Sequence, residues 1–170
     1  DLSKASLSLK NMTGTLNGEN FEANLVVQNF IDSDVILKFK GKLDAASLLG
    51  FYPVENIQNV HGSLLTDFSF EGKMSWLKSR STAQKATTNG TIELQNLNFV
   101  YGESKLPVND LNGSLQFSNN DLALSNVSLK AGNSDFVVNG FFKNIITFLL
   151  FDNQPIGIEA DLKSDFIDAD

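Results

Sequence analysis

The chain has 170 residues, no cysteine and a formal net charge of −7, with an estimated pI of about 4.6. A chain of this length builds one domain with its own core, and the absence of cysteine excludes disulfides, thiolate metal sites and a cysteine nucleophile. The acidic balance argues against a nucleic-acid partner held through its phosphates, and it offers no attraction to an anionic lipid surface.

Apolar and polar residues alternate with a period of two along most of the chain. Successive side chains of a strand point to opposite faces, so each such segment has one apolar and one polar face. This pattern is typical of antiparallel sheets, because strands of parallel sheets are buried on both faces and read as continuous apolar runs. Nine or ten strands are predicted, around residues 5–9, 21–27, 35–43, 64–70, 92–94, 111–117, 122–124, 136–138 and 156–162.

Two short segments, 44–49 and 143–150, break this alternation and predict helices of one or two turns, with Asp44 and Asn144 as candidate N-cap residues. The weakly patterned segment 75–88 is predicted to be a long loop or a lone helix. The sequence therefore predicts an all-β fold with two short helices. Its antiparallel sheet is expected to be curled and strongly twisted, shaped as a groove, a partly open barrel or a sandwich.

The alternation slips by one residue within two of the strands. In "LALSNVSL" (122–129) apolar residues stand at 122 and 124 and then at 127 and 129, and "IELQNLNF" (92–99) behaves in the same way. One extra residue in a strand produces a bulge, and asparagine tolerates the backbone conformations that bulges need. Asn96 and Asn126 are therefore predicted to be strand bulges that curve the sheet; Asn11 and Asn29 follow only the first half of the pattern.

An internal repeat relates the two predicted helices. When Gly41 is aligned with Gly140, segment 33–51 matches segment 134–151 as an apolar strand, a glycine, one more strand step and a short apolar helix. The spacing is roughly 100 residues, and repeated units that cannot close their own apolar face tend to stack into elongated sheets. We expect residues 1–52 to end an upstream β unit and residues 53–170 to form one complete unit, packed as one continuous domain excised from a longer protein.

Segment 89–150 resembles the C-terminal region of the AsmA-like family, the AsmA/TamB-type bacterial envelope proteins. The matching elements are "GTIELQNL" from Gly90, "LNGSL" from Leu111, "DLALSNV" from Asp121, "GNSDF" from Gly132, and "ADLKSDFIDAD" at 160–170. The resemblance is good over about residues 60–170. Residues 1–52 resemble the same family as a degenerate upstream unit. The richness in Asn and Ser suggests a Bacteroidetes-type member.

The resemblance implies a periplasmic domain that takes part in outer-membrane biogenesis. Such proteins are anchored in the inner membrane by an N-terminal helix, which would lie outside this chain. They are similar to bridge-like lipid-transfer proteins, whose curled antiparallel sheet carries acyl chains on an apolar concave face. The partner implied is a lipid or a membrane-associated protein.

No catalytic, metal or cofactor site is predicted from the residues. His61 is the only histidine, and a base or ligand would need partners, so a structural or solvent-facing role is favoured. Pairs of acidic residues suggest a glycosidase only weakly, because they alternate with apolar residues as on a solvated strand face. These pairs are Asp32/Asp34, Asp67/Glu71, Glu159/Asp161 and Asp165/Asp168/Asp170. The protein is therefore predicted not to be an enzyme.

Lys38, Lys40 and Lys42 form a basic stripe, interpreted as a solvated or edge-protecting face rather than a head-group patch. The remaining candidate is the apolar face, either an open lipid-accommodating trough or the core of an ordinary β-sandwich. Its predicted lining is Phe21, Leu25, Leu37, Phe39, Phe68, Phe70, Leu94, Phe117, Leu124, Phe136 and Ile158.

The alternative function is that of a carbohydrate-binding or adhesive β-sandwich module. Such a module would expose aromatic side chains on its polar face. Trp76, Tyr52 and Tyr101 are the only Trp and Tyr residues of the chain, which is few for a sugar platform.

Overall fold

The computed structural model describes residues 1–51, 56–150 and 155–168. Nine strands form one sheet in which every strand pairs antiparallel with its neighbours in sequence. β1 and β9 each have a single partner, so the sheet is open, and the predicted all-β fold with a curled antiparallel sheet is confirmed. The strands are β1 (Ser6–Leu16), β2 (Glu19–Gln28), β3 (Asp34–Asp44), β4 (Ile57–Lys73), β5 (Thr87–Tyr101), β6 (Leu106–Ser118), β7 (Asp121–Ala131), β8 (Ser134–Lys143) and β9 (Gly157–Lys163).

The two predicted helices are α1 (Ala45–Phe51) and α3 (Ile145–Leu150), each of which follows a strand directly. A further single turn, α2 (Arg80–Ala83), and 3₁₀ turns at Leu2–Lys4 and Met74–Lys78 complete the helical elements of the described residues. The weakly patterned segment 75–88 thus contains most of one 3₁₀ turn, α2 and the first residues of β5. This strand begins earlier than the alternation indicated.

The helix caps follow the prediction at α1 and depart from it at α3. The carboxylate of Asp44 accepts a hydrogen bond from the Ser47 backbone N–H at 2.9 Å, as an N-cap residue does. At α3 the corresponding acceptor is not Asn144. The side-chain oxygen of Asn120, in the β6–β7 turn, accepts from the Thr147 N–H at 2.9 Å, while Asn144 Oδ1 accepts from the Asn120 side chain. Asn144 has a φ of 63°, in the left-handed region, whereas an N-cap residue typically has an extended backbone.

Strand pairing shifts register where the apolar pattern slips in phase. In β5 the shift lies between Leu94 and Leu97 and includes Asn96. In β7 it lies between Leu124 and Val127 and includes Asn126. These two residues have φ of 50° and 49°, in the left-handed region. Asn11 (φ 52°) occupies a similar shift in β1, between Leu9 and Met12. Bulges of this kind bend strands and raise their twist, which curls the sheet.

Asn29 has a different role from the bulge residues. It follows the end of β2, and its side-chain oxygen accepts hydrogen bonds from the backbone N–H groups of Ile31 and Asp32. This is an Asx-type turn, in which an asparagine side chain takes the place of a backbone acceptor. Asn29 therefore reverses the chain toward β3 and does not curve a strand.

The internal repeat takes the form of three antiparallel strands followed by a short helix. β1–β2–β3–α1 corresponds to β6–β7–β8–α3, and in each copy the turn of the first hairpin contacts the helix, through Asn17 with Ser47 and through Asn120 with Thr147. β3 and β4 pair along their whole overlap, from Asp34–Lys73 to Asp44–Ser63. Because β3 lies before the predicted unit boundary at 52/53 and β4 lies after it, strand pairing runs across that boundary. The division into two units stays a prediction.

Candidate functional site

The register of the strands separates the sheet into two chemically distinct faces. We call inner face the one that carries Phe39, Phe68 and the residues paired with them, and outer face the opposite one. All eleven residues of the predicted apolar lining occupy inner-face register positions. Among the strands described, the only charged residue at such a position is Glu19, which lies beside the β1–β2 turn. Its carboxylate bonds Lys42 Nζ at 2.9 Å.

One row of the inner face crosses all nine strands without a polar residue. It consists of the consecutive pairing partners Met12, Ala23, Phe39, Phe68, Gly90, Phe117, Leu122, Phe142 and Ile158. Eight strand-to-strand steps of about 4.8 Å make this apolar row roughly 38 Å long along the curved sheet. The adjoining row that runs through Gly41 contains the polar residue Thr66. Its hydroxyl donates a hydrogen bond to the Gly41 carbonyl at 2.7 Å.

The inner face is not the closed core of a sandwich in the part of the chain that the structure describes. None of the phenylalanine side chains described is buried, and no large side chain there is fully enclosed. Ten of the eleven predicted lining residues are half-buried, and Ile158 is 60% exposed. The buried apolar residues are smaller ones, such as Ala23, Leu97 and Val127. Large exposed apolar patches are typical of surfaces that contact partner proteins, membranes or ligands.

Glycines on the inner face permit the tight curl. Gly90 in β5 lies between Phe68 of β4 and Phe117 of β6, and the two rings meet over it edge to face, with centroids 6.2 Å apart. A Cβ at Gly41 would lie 2.8 Å from Phe21 Cβ, and one at Gly140 would lie 2.7 Å from Ala160 Cβ. Both distances are shorter than real carbon contacts, so a side chain at either position would force neighbouring strands apart.

The outer face is solvated and carries ion pairs of both signs. Lys40 lies 3.6 Å from Asp67, and Lys130 lies 3.0 Å from Asp110. Within the predicted basic stripe, Lys40 is thus paired with an acidic residue of the same face, which favours the interpretation as a solvated face. The edge-protecting role proposed for the stripe is wrong, because β3 pairs with both β2 and β4.

The candidate chemical residues are dispersed. His61 is exposed and pairs with Asn98 on the outer face. Asp32 and Asp34 share Lys73, at 3.9 and 3.0 Å, and Glu159 and Asp161 are exposed on β9. Among the residues that the structure describes, no group of three or more His, Cys, Asp or Glu side chains is arranged to hold a metal ion. Asp170, of the last acidic group, lies outside the described residues.

The aromatic residues of the carbohydrate alternative do not form a platform. Trp76 is half-buried in the second 3₁₀ turn, and Tyr101 ends β5 at an inner-face position. Tyr52 lies outside the described residues. In the strands described, no Trp or Tyr occupies an outer-face position.

The sequence did not reveal how the bulges are held. At four of the bulges, the backbone N–H of the extra residue donates to the side-chain oxygen of an asparagine on a neighbouring strand. The pairs are Asn11 with Asn24 (2.9 Å), Asn96 with Asn112 (2.9 Å), Asp110 with Asn98 (3.1 Å) and Asn126 with Asn139 (2.7 Å). Three of these pairs consist of two asparagines 13 to 16 positions apart across a hairpin, and this recurrence is the signal that identifies them.

Comparison of the chain with family models, curated proteins and solved structures gives no match. None of the helices in the described ranges combines the length and the apolar character that a membrane crossing requires.

Proposed function

We propose that this protein is a non-enzymatic domain that accommodates lipid acyl chains on its inner face. The observation that carries the proposal is the uncharged apolar row that crosses all nine strands described, in which every residue except the buried Ala23 is half-exposed or exposed. Acyl chains form no hydrogen bonds, so a surface for them needs apolar area rather than convergent polar groups. Each methylene group removed from water contributes about 0.8 kcal/mol.

The dimensions of the row agree with this ligand class. The hydrocarbon core of a bilayer is about 30 Å thick and contains two leaflets, so one acyl chain spans about 15 Å. The row of roughly 38 Å is longer than a single chain. With no charged group on its strands beyond Glu19, the inner face offers no site for a charged head group, which would stay at the rim in water.

We further propose a role in the bacterial envelope, in the periplasm, in outer-membrane assembly or lipid transfer. This part rests on the resemblance of segment 89–150 to AsmA-like proteins. An anchor in the inner membrane would lie outside the chain.

The test is mass spectrometry of lipids that co-purify with the protein prepared without detergent. We expect phospholipids or fatty acids with the wild type. A Phe68→Asn variant, which places an amide in the middle of the row, should retain several-fold less. Phe141→Asn is the matched control, because Phe141 is equally half-buried but pairs with Glu159 on the outer face. Lipid-free wild-type protein, or equal loss in both variants, would contradict the proposal.

A further inference from the structure

Two connecting segments, 29–34 between β2 and β3 and 73–86 between β4 and β5, meet at one end of the sheet. We call them together the tip. Ile31 is 73% exposed, which is the highest value for a large apolar side chain among the described residues, and Met74 is 47% exposed. The backbone N–H of Met74 donates to the Ser33 carbonyl at 2.9 Å, so the two segments are in contact.

The apolar exposure of the tip is not that of a sheet edge. The strands that the tip connects, β2 to β5, each have a paired strand on both sides. Phe30, next to Ile31, is also exposed, at 44%. The hairpin turns at the opposite end of the sheet contain no large apolar residue at 17–18, 102–105 or 132–133. The exposed apolar side chains are therefore a local property of the tip.

The tip is basic in an acidic protein. Residues 73–86 contain four of the 13 lysine and arginine residues of the chain and no acidic residue. The two acidic residues of the tip, Asp32 and Asp34, share Lys73 at 3.9 and 3.0 Å. The tip thus carries a formal charge of +2, whereas the whole chain carries −7. The acidic balance that offers no attraction to an anionic lipid surface does not extend to this end of the sheet.

The only tryptophan of the chain also belongs to the tip. Trp76 lies half-buried in the 3₁₀ turn Met74–Lys78. Tryptophan is enriched at membrane–water interfaces, where its ring and its N–H find different surroundings. Exposed apolar side chains beside lysine and arginine bind surfaces of anionic lipid through apolar burial and charge attraction together.

We propose that the tip docks the protein onto an anionic lipid surface, with Ile31 and Met74 among the head groups and the basic residues against the phosphates. The docking is a property of this end of the sheet and is independent of acyl-chain binding. With the proposed function, on which this clause alone rests, docking brings the inner-face residues Val27 and Val35, which pair beside the tip, next to a source of acyl chains.

Trp76 reports the docking directly, because no other tryptophan contributes to the emission. The probe is vesicles of phosphatidylcholine, alone or mixed with phosphatidylglycerol. With the anionic vesicles we expect a blue shift, its reversal at high salt, and quenching by phospholipids brominated on their acyl chains. Vesicles of phosphatidylcholine alone should bind roughly tenfold more weakly, since the attraction of the basic residues is lost.

Two double variants of equal charge test whether the tip is responsible. Lys78→Gln/Lys85→Gln should bind the anionic vesicles roughly tenfold more weakly. Lys10→Gln/Lys38→Gln, at exposed positions of β1 and β3, removes the same charge away from the tip and should change binding by less than about twofold.

The apolar contribution is tested by Ile31→Asn/Met74→Asn, which should bind several-fold more weakly and lose the quenching by brominated lipid. Phe68→Asn, on the inner face, should dock as the wild type does, so that a failure of docking and a failure of acyl-chain binding are read separately.

Equal binding to both kinds of vesicle, equal effects of the two lysine double variants, or bound protein whose Trp76 is not quenched would overturn the proposal. Absence of vesicle binding would overturn it as well. Self-association of the protein that Ile31→Asn/Met74→Asn abolishes, without vesicle binding, would assign the tip to a second copy instead.

Discussion

The backbone N–H of Asn126 donates a hydrogen bond of 2.7 Å to the side-chain oxygen of Asn139 on the neighbouring strand. Asn126 is the extra residue of a bulge and has a φ of 49°, so its N–H is removed from the regular ladder. The asparagine side chain restores the missing acceptor. The same arrangement at Asn11, Asn96 and Asp110 makes it a recurrent device by which this sheet bends without leaving backbone donors unpaired.

Asn139→Ala should therefore destabilise the protein by roughly 1 kcal/mol, because the Asn126 N–H loses its acceptor in the protein. Urea unfolding at neutral pH measures the change. Asn139→Asp keeps an acceptor oxygen and should recover most of the loss. Asn109→Ala, on the outer face of β6, is the matched control and should change the free energy of unfolding by less than about 0.5 kcal/mol.

The conformation of the bulge residue itself can be tested at position 126. Asn126→Gly should be tolerated, because glycine adopts positive φ without a steric cost. Asn126→Val should cost about 1–2 kcal/mol, since a β-branched residue is strained in the left-handed region. Equal stability of the two variants in urea unfolding would mean that the bulge relaxes to an ordinary strand.

The inner-face glycines should be intolerant of a methyl group. In Gly41→Ala the new carbon would lie 2.8 Å from Phe21 Cβ and 2.9 Å from the Asn20 carbonyl oxygen, so β2 and β3 must separate. Overpacking of this kind costs about 1–3 kcal/mol. Gly157→Ala is the control: its nearest neighbour would be Lys143 Cβ at 3.3 Å, which a small shift accommodates. Thermal or urea unfolding distinguishes the two variants.

The attachment of the segment after β9 should depend on pH. Asp135 accepts hydrogen bonds from the Phe166 N–H at 2.7 Å, the Asp165 N–H and the Ser164 hydroxyl, and these hold the pKa of its carboxyl below the ordinary 3.8, against a smaller opposing effect of burial. A pKa lowered on folding stabilises the folded form above the unfolded pKa, and the stabilisation is lost as the pH falls through the folded pKa. Protection of the 164–168 amides against exchange, relative to their intrinsic exchange rates at each pH, should therefore fall below pH 4.

Asp135→Asn provides the comparison for that pH dependence. At neutral pH the variant should exchange faster than the wild type at 164–168, because a neutral amide oxygen is a weaker acceptor than a carboxylate. The difference should vanish at the acid end of the range, where Asp135 is protonated. A difference that persists unchanged across the whole range would show that the carboxylate charge is not what holds the segment.

Much of the fold followed from local pattern. The alternation of apolar and polar residues places the eleven predicted lining residues on one face, because strand geometry ties face to position along the chain. The phase slips at Asn96 and Asn126 coincide with shifts in strand pairing for the same reason. These features depend on residues close in sequence, which a single sequence displays.

The features that could not be predicted from the sequence depend on contacts between strands. The side-chain oxygen of Asn139 accepts from an N–H that lies 13 residues earlier in the chain. The side chain of Asn120 caps a helix 27 residues later, at the end where the adjacent Asn144 was predicted to be the cap. Likewise, the position of β3 in the middle of the sheet, which rules out an edge-protecting role for Lys38, Lys40 and Lys42, is set by which strands pair. The local sequence does not determine which strands pair, or which distant side chain accepts a given backbone N–H.

The most direct test of the central claim is photo-crosslinking with a palmitic acid analogue that carries a diazirine in the middle of its chain. Crosslinked residues are then located by mass spectrometry of the digested protein. We predict adducts on the inner-face row of several strands, at and around Phe39, Phe68 and Phe117, and their loss in Phe68→Asn but not in Phe141→Asn. Adducts confined to the outer face, or none at saturating lipid, would contradict the account.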